Sequence, residues 1–191
     1  MKRVINNFLN QYKEVYDDKL YYNSDVNTHM DIKSHDALSE YYESIKNCLN
    51  CSLGHKRKNF VFGVGNPNAE IVFVGEAPGK NEDLQGEPFV GRSGKLLDKI
   101  LQAIHLSRKD IYICNILKCR PPKNRDPLSD EVKQCEPYLK KQLSIIQPKL
   151  IVALGRIAAT TILQTKEQLG KLRQTIHQYE GIDLIVTYHP A

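Results

Sequence analysis

Four short apolar runs, separated by segments with helical periodicity, constrain the fold of this 191-residue chain more than any other feature. The strand-like runs lie at residues 71–74, 111–117, 150–154 and 182–187, and the helical patterns between and after them lie at 96–104, 132–146 and 157–162. Strands that alternate with helices are typical of an α/β domain with a mainly parallel central sheet and helices on both faces. A chain of this length can bury such a core without disulfides.

The first part of the chain differs from the rest in pattern and charge. Residues 1–36 have weak periodicity, with Val4, Phe8 and Tyr12 at helical spacing, and we expect them to form an N-terminal appendage to a domain at 37–191. Residues 1–47 carry a net charge of −2, whereas residues 48–191 carry +7. A basic body is typical of a protein that binds a polyanion, and equally of one that is merely soluble.

Two classes of protein are excluded by hydropathy. No apolar run approaches the roughly 18 residues of a membrane-spanning helix. The N-terminal segment MKRVINNFLNQYKEVYDD is too polar for a secretory signal. We therefore expect a cytoplasmic protein with no membrane partner.

Polar residues accompany three of the strand-like runs at their carboxyl ends. Glu76 follows the first run, Asn115 lies in the second, and His189 follows the last. Ligands of open α/β sheets bind outside the carboxyl ends of the strands. A buried asparagine without hydrogen-bond partners costs about 1–3 kcal/mol. Asn115 therefore either caps a neighbouring loop or binds a ligand together with Glu76 and His189.

The loop after the first strand, GEAPGKNEDLQGEPFVGRSGKLLD at residues 75–98, holds five glycines and five acidic residues. That many carboxylates disfavour a phosphate cradle. The two nearby glycine motifs also fail as nucleotide sites. GVGNPN at 63–68 precedes a strand instead of following one, and GRSGKLLD at 91–98 lacks the Ser or Thr after its lysine. Nucleotide hydrolysis is thus not indicated.

Four of the five cysteines form a pattern typical of a metal centre. Cys48 and Cys51 are a C-x2-C pair, and Cys119 and Cys135 follow far along the chain. In a cytoplasmic chain such a pair is rarely a structural disulfide. Four thiolates bind either a tetrahedral zinc ion or an iron–sulfur cluster, and their spacing does not choose between the two. Cys114 lies within a strand and is predicted to be a core residue. The alternative to a metal centre is that the five cysteines are unrelated free thiols.

A proline-rich loop, KCRPPKNRDP at residues 118–127, surrounds Cys119 with basic residues. These are Lys118, Arg120, Lys123 and Arg125. They form either a surface that contacts nucleic-acid phosphates or a solvated basic loop.

Five blocks together identify a resemblance. They are GEAPGKNED (75–83), PFVGRSGKLLD (88–98), NILKCRPPKNRDP (115–127), ALGRIAA (153–159) and YHPA (188–191). In this order they resemble family 4 uracil-DNA glycosylases, the iron–sulfur branch of that superfamily. The resemblance covers roughly residues 40 to 191. Glu76 matches family 4, whereas the related family 5 enzymes have an apolar residue there.

The resemblance implies a DNA repair enzyme of base excision. Such a monofunctional glycosylase hydrolyses the N-glycosidic bond of deoxyuridine in DNA, releases uracil and leaves an abasic site. The target base must first be flipped out of the duplex. The resemblance also implies the three-layer uracil-DNA glycosylase fold, a monomer that binds single- or double-stranded uracil-containing DNA, and a location in the cytoplasm at the nucleoid.

Roles for individual residues follow from the same resemblance. Gly75, Glu82, Phe89 and Asn115 would form the uracil pocket, with Glu82 beside it, Phe89 as the stacking face and the Asn115 carboxamide pairing with O4 and N3–H. Glu76 would orient or activate the attacking water. His189 would donate a hydrogen bond to O2 as charge develops there.

The cofactor and the DNA contacts are implied in the same way. Cys48, Cys51, Cys119 and Cys135 would hold a structural [4Fe–4S] cluster, which keeps the basic loop in shape for DNA. The alternatives are a non-catalytic iron–sulfur protein that binds DNA, an inactive fragment, and a four-cysteine zinc protein. The chain ends at Ala191, directly after YHPA, where relatives are expected to continue with a leucine-bearing loop and a helix. We therefore expect the C-terminal segment to be missing.

Overall fold

The structure is a computed structural model that describes residues 28–190, with side chains from residue 34 onward. The helical pattern predicted around Val4, Phe8 and Tyr12 lies outside the described residues. The first described helix, α1, spans Thr28–Ile45. It runs without interruption across the expected boundary between residues 36 and 37, so the end of the N-terminal segment and the start of the domain share one helix.

Within residues 28–190, six strands and five further helices follow α1. The strands are β1 (Val64–Gly65), β2 (Ile71–Gly75), β3 (Tyr112–Asn115), β4 (Leu150–Leu154), β5 (His177–Tyr179) and β6 (Ile182–Thr187). The helices are α2 (Lys80–Gln85), α3 (Arg92–Ala103), α4 (Ser129–Ile146), α5 (Arg156–Ile162) and α6 (Leu169–Leu172), and a single 3-10 turn covers Pro122–Asn124. None of the helices in the described part of the chain is long and apolar enough to cross a membrane.

All six strands belong to one sheet, in the order β1–β3–β2–β4–β6–β5. The four central strands β3, β2, β4 and β6 run parallel to one another. The edge strands β1 and β5 pair antiparallel with β3 and β6. The predicted α/β class with a mainly parallel sheet is confirmed.

Two apolar cores cover the two faces of this sheet because successive strand residues point to opposite sides. Val152 of β4 packs in one core with Leu97 and Leu101 of α3. Its neighbour Ile151 packs in the other core, together with Leu139 of α4. Helices therefore lie on both faces, and the predicted three-layer arrangement is confirmed.

The predicted strands and the observed ones differ in two ways. The run at 111–117 forms a strand only over β3. The amides of Ile116 and Leu117 continue to donate, to the carbonyls of Gly75 at the end of β2 and of Glu76 just beyond it. The edge strands β1 and β5 were not predicted. They have two and three residues, too few for an alternating pattern to be recognised.

The register of the sheet brings the carboxyl ends of three distant strands together. Gly75, the last residue of β2, pairs with Asn115, the last residue of β3. On the other side of β2, Leu154 of β4 pairs with Thr187 of β6. After β2 the chain forms β3 on one side of β2 and later β4 on the other side. At such a reversal of strand order a crevice opens beyond the carboxyl ends of the strands, and open α/β sheets bind their ligands there.

Candidate active site

A cavity of about 170 Å³ lies at this crevice. It is lined by Glu76, Ala77, Pro78, Gly79, Glu82, Phe89, Ser93, Asn115, Pro121, Asn124, Arg125 and His189. Pockets for drug-sized ligands are usually about 300–1,000 Å³. This cavity therefore suits one small ring and a water molecule better than a nucleotide or a larger cofactor.

Three polar side chains in the cavity wall are left free for a ligand. Asn115 is 2% exposed, and its carboxamide makes no hydrogen bond with any described residue. Among residues 34–190, the Glu76 carboxylate and the His189 ring likewise have no hydrogen-bond partner. A buried polar group such as the Asn115 carboxamide is normally paired with protein or with ordered water. The predicted meeting of these three residues is confirmed, and Asn115 is not a loop cap.

Gly75 is needed where the carboxamide of Asn115 crosses the end of β2. A Cβ atom at position 75 would lie 2.4 Å from Asn115 Oδ1 and 2.7 Å from Cε2 of Phe89. Real Cβ atoms do not approach other heavy atoms so closely. The absence of a side chain at Gly75 thus lets the amide and the aromatic ring share one wall of the cavity.

Phe89 provides the flat apolar wall. It is 5% exposed, and its ring centroid lies 5.8 Å from that of His189. Its backbone is left-handed, with φ of 54°, which costs a non-glycine residue about 1–2 kcal/mol. Glu82 stabilises the turn that follows, because its Oε1 accepts the amides of Val90 at 3.0 Å and Gly91 at 2.8 Å.

Glu76 has the properties of a base that works near neutral pH. It is half-buried, and burial raises its pKa from 4.5 to about 7. The nearby Asp126 carboxylate raises the pKa further, and Arg156 opposes it. Asp126 and Arg156 lie 3.6 Å apart and are both largely exposed. A carboxyl with a pKa close to 7 is present in both its protonated and its ionised form at physiological pH.

His189 is kept neutral. It is exposed at the rim of the cavity, yet the protein packed against its ring removes enough solvent to lower its pKa. The Glu82 carboxylate opposes this shift. A neutral imidazole carries one N–H donor that can serve an acceptor in the cavity.

Several residues of this site carried no signal in the sequence. Ser93 and Asn124 line the cavity, and the pair Asp126–Arg156 adjusts the pKa of Glu76. Asp126 belongs to the basic loop and Arg156 begins α5, so only the folded sheet edge brings them near Glu76. The order of residues in the chain does not predict such a meeting.

The four cysteines predicted to bind a metal centre, Cys48, Cys51, Cys119 and Cys135, lie in one region, between the start of the domain and α4. Cys119 and Cys135 are buried, whereas Cys48 and Cys51 are half-buried. Burial raises the pKa of the Cys135 thiol to about 12, and the neighbouring Cys119 and Cys51 contribute to the rise. Cys114 is buried in the core, as predicted.

Hydrogen-bond donors point at three of these sulfurs. The Cys48 sulfur accepts from the Tyr138 hydroxyl at 3.0 Å. The Cys119 sulfur accepts from Arg57 at 3.4 Å, and the Cys135 sulfur accepts from the amide of Lys118 at 3.3 Å. Such donors suit sulfurs that carry negative charge. Within the described residues, however, no three potential ligands are close enough together to hold a single metal ion.

The prediction that Lys118 contacts DNA is wrong. Its side chain is completely buried. The ammonium group donates to the carbonyl of Asn115 at 2.8 Å and to the carboxamide of Gln142 at 2.5 Å. A lysine that is desolvated in this way cannot reach a phosphate. It ties the end of β3 to α4 instead.

The other three basic residues of the loop differ in how free they are. Lys123 is exposed. Arg120 donates to the Asn124 side chain at 2.8 Å. Arg125 is held by the buried carboxylate of Glu131, with hydrogen bonds of 2.9 and 2.6 Å. Lys123 is therefore the least restrained of the cations predicted to contact DNA.

Comparison with known proteins agrees with this geometry. Residues 62–191 match the profile of the Uracil DNA glycosylase superfamily. A Type-4 uracil-DNA glycosylase of Archaeoglobus fulgidus is 48% identical over 82% of this chain and 82% of its own length. The Type-4 enzyme of Thermotoga maritima is 44% identical over 78% of this chain and 79% of its own. A Type-5 uracil-DNA glycosylase of Thermus thermophilus is 30% identical, over 66% of this chain and 67% of its own.

Proposed function

This chain belongs to the uracil-DNA glycosylase superfamily, and from that premise we infer that it is a type-4 uracil-DNA glycosylase, a DNA repair enzyme that releases uracil from DNA. One observation carries the inference. A cavity sized for one small ring is lined by Glu76, Asn115 and His189, whose side chains have no hydrogen-bond partner among the described residues. A pyrimidine and a water molecule would supply the missing partners.

The substrate must enter this cavity as a flipped-out nucleotide. Glycosylases reach their target base only after it leaves the stack. Phe89 offers the flipped ring an apolar face in place of its former neighbours. The wall shared by Gly75, Asn115 and Phe89 places an amide and an aromatic face side by side, as a flat base with a polar edge requires.

Asn115 would distinguish uracil from cytosine. Its carboxamide offers one donor and one acceptor, which match O4 and N3–H of uracil. In cytosine the amino group stands where O4 was, and N3 carries no hydrogen. With the carboxamide in the orientation that matches uracil, both contacts to cytosine would place like groups against each other in a buried site, where an unpaired polar group costs about 1–3 kcal/mol.

In the reaction, the bond between C1′ of the deoxyribose and N1 of uracil breaks. The bonding electron pair goes to uracil, where it is shared between N1 and O2. The oxygen of a water molecule forms the new bond to C1′, and the proton that it loses passes to Glu76. The products are an abasic site and a uracil anion, which takes up a proton after leaving.

His189 and Glu76 would act on opposite ends of this bond. The neutral His189 ring would donate a hydrogen bond to O2, where negative charge accumulates as the bond breaks. Ionised Glu76 would orient the water and stabilise the positive charge that develops on the sugar. The pKa of about 7 supplies a substantial fraction of the ionised form at neutral pH.

We also propose that Cys48, Cys51, Cys119 and Cys135 hold a [4Fe–4S] cluster. The hydrogen bonds to three of the sulfurs support this, and so does their mutual influence on the thiol pKa values. The group would act as a structural clamp on the proline-rich loop.

The DNA backbone would lie along this loop. Lys123 would contact phosphates directly, and Arg120 and Arg125 would add positive charge from their restrained positions. We expect the enzyme to act as a monomer on DNA at the nucleoid.

Uracil release from an oligonucleotide with one uracil tests this proposal. The native chain should release uracil, and Asn115→Ala should lose at least about 100-fold in single-turnover rate while keeping its affinity for undamaged DNA, because Asn115 touches only the flipped base. Gln178→Ala on the exposed edge strand β5 is the matched control and should behave as the native chain. Equal rates for Asn115→Ala and the native chain would contradict the assigned role.

A further inference from the structure

Arg108 lies behind the stacking residue of the cavity, outside the set of residues that line it. It precedes β3, while Phe89 lies in the loop before α3. One guanidinium nitrogen of Arg108 donates to the carbonyl of Pro88 at 3.2 Å, and the other donates to the carbonyl of Phe89. Its Nε donates to Asp98 of α3 at 2.7 Å. Arg108 thus joins the loop, α3 and the segment before β3.

These contacts converge on a backbone conformation that Phe89 would not adopt by itself. The backbone of Phe89 has a left-handed φ of 54°, and its carbonyl points toward α3. There a Cβ atom on Gly94 would lie only 1.6 Å from that oxygen. Glu82 accepts hydrogen bonds from the two amides that follow Phe89. Arg108 donates hydrogen bonds to the carbonyls of Pro88 and Phe89. The strained residue is thus fixed from both sides.

We propose that Arg108 is a positioning residue that sets the plane of the Phe89 ring against the flipped uracil. The inference rests on the proposed function and extends it to a residue that lies outside the cavity. Only arginine has a planar fork that can reach two neighbouring carbonyls, whereas a lysine would offer a single point donor. Its side chain is 27% exposed, so the contacts are partly shielded from water.

The first test does not depend on catalysis. The chain has no tryptophan, so Phe89→Trp places one fluorophore at the stacking position. In that background, Arg108→Met should increase quenching of the indole by acrylamide at least about twofold, because the ring is no longer held, and Arg108→Lys should recover part of the protection. Lys109→Ala, the exposed neighbour, is the matched control. Equal quenching with and without Arg108 would overturn the proposal.

The second test is a double-mutant cycle on uracil release, made well below the unfolding temperature of each variant. Arg108→Met should lower kcat/KM about tenfold and weaken inhibition by free uracil by a similar factor. In a Phe89→Ala background the same change should have less than about a twofold effect, since a residue that acts through Phe89 has nothing left to position. An equal loss in both backgrounds would overturn the proposal and indicate a general effect on folding.

Asp98→Asn separates the ion pair from the two carbonyl contacts. It removes charge from the partner of Nε and leaves the fork in place, so uracil inhibition should change by less than about twofold. If the native chain releases no uracil, the proposed function fails, and the fluorescence result still decides whether Arg108 holds position 89. If uracil is released but Asp98→Asn weakens inhibition by free uracil as much as Arg108→Met does, the ion pair and not the guanidinium fork positions Phe89. The proposal is then wrong.

Discussion

The raised pKa of Glu76 makes a sharp prediction about how uracil release depends on pH. In the proposed reaction the carboxylate is the active form of Glu76, and it predominates above the pKa of about 7. The single-turnover rate should therefore rise with pH through neutrality. With one ionisation at about 7, roughly one tenth of the enzyme is active at pH 6 and roughly nine tenths at pH 8, a change of about tenfold. A carboxyl with an ordinary pKa would give an almost flat profile over this range.

The two residues that flank Glu76 supply opposing controls. Removing the charge of Asp126 with Asp126→Asn lowers the pKa of Glu76, so the midpoint of the profile should move to lower pH. Arg156→Met removes a positive charge and should move the midpoint to higher pH. Both side chains are largely exposed, so high salt should reduce both shifts.

The assay measures uracil release under single-turnover conditions at constant ionic strength, so that the chemical step is followed. Glu76→Gln should lower the plateau by about 10²–10⁴-fold and remove the rise around pH 7. A flat profile between pH 6 and 8 in the native chain would refute the assignment of Glu76 as the ionising group. Shifts of the two control variants in the same direction would refute the electrostatic argument.

Three other predictions concern folding and DNA binding. Gly94→Ala should lower the free energy of unfolding by about 3 kcal/mol or more in urea, because its Cβ would meet the carbonyl of Phe89, whereas Gly170→Ala, with nothing within 4 Å, should be neutral or stabilising. Lys118→Met should cost about 1–3 kcal/mol by leaving buried polar partners unpaired, and an unchanged urea midpoint would contradict this. Lys123→Ala should reduce the slope of log K against log salt by about 0.7–0.9 for DNA binding, and Lys118→Met should not change it.

The central sheet and the meeting of Glu76, Asn115 and His189 could be predicted because each depends on a local pattern and one general rule. Apolar runs mark the parallel strands, and polar residues at their carboxyl ends must share one edge. The observed pairing of Gly75 with Asn115 agrees with that arrangement.

The burial of Lys118 could not be predicted from the sequence. It lies beside a loop rich in proline and basic residues, and such a composition predicts exposure to solvent. Its partner Gln142 lies 24 positions away on α4, and the two meet only after α4 packs on the sheet. The hold of Arg108 on Phe89 spans 19 positions in the same way. Contacts that reach across layers of the fold have no signature in local sequence.

The most direct test of the central claim is a balance of products from a single-stranded oligonucleotide with one uracil. The account predicts that free uracil and intact abasic strand appear in a ratio of one to one, and that an otherwise identical oligonucleotide with cytosine at that position releases no base. Failure of the folded chain, prepared with iron and sulfide, to release uracil, or release of cytosine at a similar rate, would contradict the account.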